Sequence, residues 1–126
     1  MKIDLSTELA NLITVTGGLV VCIHAHAGKL EHKGATAKAA LETMCEYTSA
    51  TARLSSFTDE FVLYATGERP NAAPVVESCD RLIRDFEGIK KKVMNEGTIN
   101  DHMAFEESIA CLKGVQSKLI GTAVLN

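Results

Sequence analysis

Between Val75 and Val93 the apolar side chains recur every three or four residues: Val75, Val76, Cys79, Leu82, Ile83, Phe86, Ile89 and Val93. Asp80, Arg81, Arg84, Asp85, Lys90 and Lys91 fall in between. An α-helix turns once per about 3.6 residues, so this spacing gives it one apolar stripe and one charged face, and no strand would fit. Pro74 suits the first turn, where a missing amide costs nothing, and Gly97 suits the end.

The rest of the chain reads the same way. A first helix starts at Ser6 or Thr7, with Ser6 as the capping acceptor and Glu8 in the first turn. Leu9, Leu12, Ile13, Leu19, Val20 and Ile23 follow, and Gly17-Gly18 weakens or bends the helix by about 1 kcal/mol per glycine relative to alanine. Gly28, Lys29 and Gly34 mark a connection. A second helix spans about 35–65, roughly 45 Å, with a stripe of Leu41, Met44, Thr48, Thr51, Leu54, Thr58, Phe61, Val62 and Ala65. Its serine and threonine load predicts a kink near Ser55-Ser56. Gly67 to Asn71, with Pro70, is the clearest break. Thr98 or Asn100 caps a fourth helix that carries Asp101 in its first turn and Phe105, Ile109, Leu112, Val115, Leu119 and Ile120 along its stripe. No alternating run, repeat or linker interrupts this pattern. The expectation is an all-α, antiparallel four-helix bundle, five helices if the second is kinked, with residues 1–126 as a single domain.

Totals exclude several classes. The 126 residues are 46% apolar, enough for one core. A net charge of −3 offers nucleic acid no general attraction, and Lys90-Lys91-Lys92, flanked by Glu87 and Glu96, reads as a solvated helix end. Cys22, Cys45, Cys79 and Cys111 lie 23, 34 and 32 residues apart, one per helix, so no zinc spacing exists and buried thiols in a reducing cytosol are expected. Leu9 to Gly28 holds twenty residues without a formal charge. That length almost spans a bilayer, but Asn11, Thr14, Thr16, Gly17, Gly18, His24 and His26 dilute it. A buried central helix is therefore expected rather than a permanent membrane span. The acidic residues Asp4 and Glu8 argue against a secretory leader.

No pattern announces a reaction. His24 and His26 stand two apart and point away from each other on a helix, so they cannot share a metal. A di-iron bundle needs Glu-x-x-His on two helices, and the chain has none. Gly17-Gly18 and Gly88 match no phosphate loop. Neither catalytic residue, cofactor site, metal site nor small-molecule substrate is evident, and the chain is expected to be no enzyme.

Taken in order, the segment Leu12-Ile13-Thr14-Val15-Thr16-Gly17-Gly18-Leu19-Val20-Val21-Cys22-Ile23 precedes a long helix ending in a Gly/Pro break. Then come Val75-Val-Glu-Ser-Cys-Asp-Arg-Leu-Ile-Arg-Asp-Phe86 and Phe105-Glu-Glu-Ser-Ile-Ala-Cys-Leu-Lys-Gly-Val-Gln-Ser-Lys-Leu119. This layout resembles the HeLo-like and SesA-type N-terminal domains of fungal cell-death and NOD-like receptor proteins. The resemblance implies a cytoplasmic helical bundle that self-associates and exposes an apolar first helix to membrane lipid on activation. Leu12, Ile13, Leu19, Val20 and Ile23 would then form the membrane or self-association surface. The same residues read as ordinary core in a soluble interaction bundle, an adaptor or homo-oligomer that binds protein and never lipid.

Overall fold

A computed structural model describes residues 4–96 and 99–125. Four α-helices account for most of them: α1 Ser6–Ala27, α2 Ala35–Ala65, α3 Ala73–Glu96 and α4 Ile99–Leu125, with a 3-10 turn over Gly28–Glu31. Among the described residues there is no strand, and the architecture is an all-α bundle of four helices. The expected kink is absent as a break, since α2 runs uninterrupted through Ser55 and Ser56. Gly97 and Thr98, on which the expected end of the third helix and one expected cap of the fourth fall, lie outside the described residues.

The ends follow local chemistry. Ser6 does not cap α1. It sits inside the helix, and Asp4 Oδ1 accepts from both its backbone N at 3.0 Å and its hydroxyl at 2.6 Å. A carboxylate is the stronger acceptor at a helix N-terminus, where the dipole also favours its charge. Past the end of α2, Gly67 takes φ +84°, a conformation costly for any residue with a Cβ. There Gly67 N donates to Tyr64 O and Arg69 N to Leu63 O, both at 3.1 Å, closing the helix end. Asn71 Oδ1 accepts from Ala73 N at 3.0 Å and starts α3 just before Pro74.

Each helix packs on two others. α1 lies beside α2 and α4, α3 lies beside α4 and α2, and the α2–α3 side is the sparsest. Buried positions follow a seven-residue rhythm on all four helices. On α3 they are Val75, Cys79, Leu82, Phe86 and Val93, with Ile83 beside them, as expected from the sequence. On α4 they alternate by four and three: Asp101, Phe105, Ser108, Leu112, Val115, Leu119 and Thr122. Such a rhythm suits helices crossing at about 20°.

Two stripes differ from expectation. On α2 the buried residues are Ala40, Tyr47, Ala50, Leu54, Phe57, Phe61 and Tyr64, while Leu41, Thr48 and Ala65 face solvent. The aromatic rings decide this rotation, because each buries far more apolar area than a threonine. Tyr47 and Phe105 meet across the core at 5.1 Å and Phe86 and Phe105 at 5.6 Å, pairs worth about 0.5–1.5 kcal/mol each beyond burial. On α1 the inner line is Leu12, Leu19 and His26, continued N-terminally by Leu5, with Cys22 beside it. α1 is thus no buried central helix. Its outer face leaves Ile13 61% and Val21 67% exposed, with Val20 exposed between them.

Candidate functional site

The line Leu5, Leu12, Leu19 repeats every seven residues, and its next member is a histidine. His26 therefore enters the core because the register of α1 carries it there. α4 runs antiparallel to α1, so its first turn lies beside the last turn of α1, and Asp101 occupies the first core position of the α4 stripe. The two side chains meet. His26 Nε2 donates to Asp101 Oδ2 at 2.7 Å, with the residues 5% and 1% exposed. A buried charge-assisted bond of this length is strong and fixes the imidazole plane.

Tyr47 and Cys22 complete the cluster. The His26 and Tyr47 rings stand edge to face, 5.5 Å apart. The Tyr47 hydroxyl is buried, with the Asp101 carboxylate close by. Burial, and then the nearby Asp101 charge, push the phenol far above its usual titration range and keep it protonated. Cys22 Sγ donates weakly to Asn100 O at 3.9 Å. Burial and then Asp101 push its thiol up from 9.0 to about 11. A thiol held protonated by a neighbouring carboxylate is no nucleophile at neutral pH.

Two grooves flank the cluster, and His26 lines both. One, of about 470 Å³, runs between α2 and the C-terminal ends of α1 and α3, with Tyr47 and Val93 in its wall. The other, of about 440 Å³, lies between α1 and α4 and is lined by Val15, Val21, Cys22, Asp101 and Met103. A second polar bridge ties the far end of the core, where the Tyr64 and Thr122 hydroxyls stand 2.7 Å apart. Surface ion pairs cross the sparse α2–α3 side, Lys92 to Glu46 and Arg53 to Asp85, each at 3.1 Å. Exposed pairs of this kind contribute about 0–1 kcal/mol each.

The five residues expected to form a membrane or self-association surface fall into two groups. Leu12 and Leu19 are fully buried and Ile23 is half-buried, all turned toward the core cluster. Ile13 and Val20 lie on the outer face beside Val21. The structure does not bring all five together on one surface. Set against family models, curated proteins and solved structures, the chain matches none of them. The likeness to HeLo-like domains rests on the residues quoted for it.

What the sequence reading missed is the His26–Asp101 pair. In the sequence Asp101 is only an acidic residue in the first turn of the fourth helix, and His26 only a histidine unable to share a metal with His24. The available signal was a histidine at a heptad position of α1 facing an aspartate at the start of the antiparallel α4.

The thiols also separate. Cys22 and Cys79 are buried, Cys111 is half-buried and Cys45 is exposed, contrary to the expectation of four buried thiols. Burial, and then the charges of Cys111 and Asp80, push Cys79 up to about 12. Burial and then Glu8 push Cys111 to about 11. A rise of two units cuts the thiolate fraction near neutrality about 100-fold. With a disulfide reagent at pH 7.5, Cys45 is expected to react in one fast phase. The other three should follow at least about 100-fold more slowly, until denaturant brings all four to one rate. Two fast thiols in the native protein would contradict this arrangement.

Proposed function

We propose that this chain is a non-enzymatic helical-bundle effector module that self-associates and engages membrane lipid through the outer face of α1, in the manner of programmed-death or allorecognition domains. One observation carries the reading. Ile13, Val20 and Val21 face solvent on a helix that bears no formal charge from Leu9 to Ala27. Fully burying a side chain of this size contributes about 1.5–3 kcal/mol, and the exposed part of each, largest at Ile13 and Val21, leaves a share of that gain unused. The segment Ser6–Glu31 is long and apolar enough to cross a membrane by length and composition, and only 22% of its most apolar window is buried. The core side of the helix, Leu12, Leu19, Cys22 and His26, would become available to lipid only if α1 left the bundle. Engagement therefore begins at the outer face.

The alternative is a soluble interaction bundle that never touches lipid and packs the polar face of α2 against a protein partner. The exposed serines and threonines of α2, Thr48, Ser49, Ser55 and Ser56, suit such a polar docking surface. Dye release from phosphatidylcholine vesicles, with and without phosphatidylserine, separates the two. The chain is tested as purified and after cross-linker clustering. Release that the double variant Ile13→Asp/Val21→Asp abolishes, while circular dichroism shows its helices intact, is the expected result. Undiminished release by that folded variant sinks the reading, and so does absence of release by the clustered wild type. The second outcome leaves the soluble interaction bundle.

A further inference from the structure

The inner line of α1, from Leu5 through Leu12 and Leu19 to His26, has a counterpart on the other side of the helix. Ala10, Ile13, Gly17, Val20 and His24 follow one another at three and four residues, and all five are exposed. That spacing is the seam of a paired helix, in which the side chains of one stripe enter the gaps of another. No formal charge interrupts it, and the exposed Val21 widens it. Gly17 stands at its centre. Glycine weakens a helix interior, yet a Cβ added at Gly17 would meet nothing within 4 Å, so packing within the chain gives no reason for it. A glycine in the middle of an exposed seam lets a second helix come close.

We propose that this line is the contact by which two copies of the chain pair, α1 against α1, in antiparallel order. Large and small positions alternate along it, and that alternation selects a second copy as the occupant and fixes its direction. In the antiparallel seam Val20 of one copy enters the gap at Gly17 of the other, and the two-fold axis repeats the contact. Ile13 then lies against His24, and Ala10 against Ala27. A parallel seam would set Ile13 on Ile13 and Gly17 on Gly17, crowding one layer and emptying the next. The charges at the two ends of the helix select the same direction. The start of α1 carries Asp4 and Glu8, and the connection after its end carries Lys29 and Lys33 against one acid, Glu31. Antiparallel pairing brings the acidic start of one copy toward the basic end of the other and opposes the two helix dipoles. This pairing rests on the reading of the chain as a self-associating module, and gives that association its surface and its direction. It also makes the second copy a competitor of lipid for Ile13, Val20 and Val21.

The test is sedimentation of the full chain from micromolar to millimolar concentration, with cysteine cross-linking in a Cys45→Ser background, since Cys45 is the exposed native thiol. A reversible monomer–dimer equilibrium is expected. Gly17→Leu should weaken it at least about tenfold, because the new side chain fills the space that Val20 of the other copy needs. Its melting temperature, measured where the wild type is monomeric, should stay the same or rise, since leucine is the better helix former and the site is open. Under mild oxidation an equimolar mixture of Ile13→Cys and His24→Cys should give a covalent dimer, and either variant alone should not. In the antiparallel seam the two copies of position 13 stand roughly 16 Å apart along the axis, beyond the reach of about 7 Å that a disulfide allows. Self-linkage of Ile13→Cys would show a parallel pair and overturn the proposal. A strict monomer over the whole range overturns it too, as does unchanged association of Gly17→Leu. Dye release keeps the two readings apart. A monomer that releases dye leaves lipid engagement standing without this pairing, whereas an antiparallel dimer that releases none supports the pairing alone.

Discussion

The His26→Ala substitution is expected to lower stability by about 1–3 kcal/mol, the cost of removing one hydrogen-bond partner from a buried carboxylate. The magnitude comes from what remains rather than from what is lost. Asp101 is 1% exposed, and its carboxylate accepts from His26 Nε2 at 2.7 Å. Without the imidazole that carboxylate is left in the core without its histidine donor, beside Tyr47 and Cys22. A domain of this size is stable by only about 5–15 kcal/mol, so the variant should unfold at markedly lower urea concentration. The double variant His26→Leu/Asp101→Leu should recover most of the loss, because replacing a whole buried pair by apolar groups is close to neutral. Urea unfolding of wild type, both single variants and the double variant measures the coupling. A loss below about 1 kcal/mol in His26→Ala would place the pair with ordinary surface ion pairs and refute its assignment as the bond joining α1 to α4.

The second large effect separates two residues six apart on the same helix. Leu19→Ala is expected to cost about 2–5 kcal/mol, the usual range for emptying a leucine site in a packed core. Ile13→Ala, at a position 61% exposed, should change stability by no more than about 0.5 kcal/mol. Leu19 is fully buried against the core cluster, so Leu19→Asp would bury an unpaired carboxylate and the chain should not fold. Any loss of membrane activity in that variant would report only unfolding. Ile13 and Val21 are the positions at which a charge tests the outer face while the bundle stands. Thermal unfolding followed by circular dichroism reads both effects, and a cost at Ile13→Ala matching that at Leu19→Ala would mean that α1 is turned the other way.

The orientation of α1 shows where sequence reading stops. The stretch from Leu9 to Gly28 is apolar nearly all round, so periodicity along it is weak and several faces could serve as the inner one. The choice falls on the face that continues the seven-residue line from Leu5 to His26, which α2 and α4 cover together. On α2 the ambiguity was between small polar residues and aromatic rings. Counting threonines as stripe members displaced the expected face from the one that Tyr47, Phe57, Phe61 and Tyr64 define. Side-chain area, not the number of matching positions, settles such cases.

Helix content, the break after α2 and the apolar face of α3 were legible because they depend on neighbours within a few residues, whereas Ile120, expected in the α4 stripe, is exposed. Periodic apolar spacing, glycine at a positive φ and proline in a first turn act locally, and α2 accordingly spans Ala35–Ala65 as expected. The His26–Asp101 pair, the buried Tyr47 hydroxyl and the grooves beside them depend on residues from several helices brought together by packing. Residues 26 and 101 are 75 positions apart, and neither one alone marks the contact. Each is a polar residue near a helix end, unexceptional in its local sequence. Only the register of two antiparallel helices turns them inward to meet, because a buried charge must find its partner wherever the fold places one.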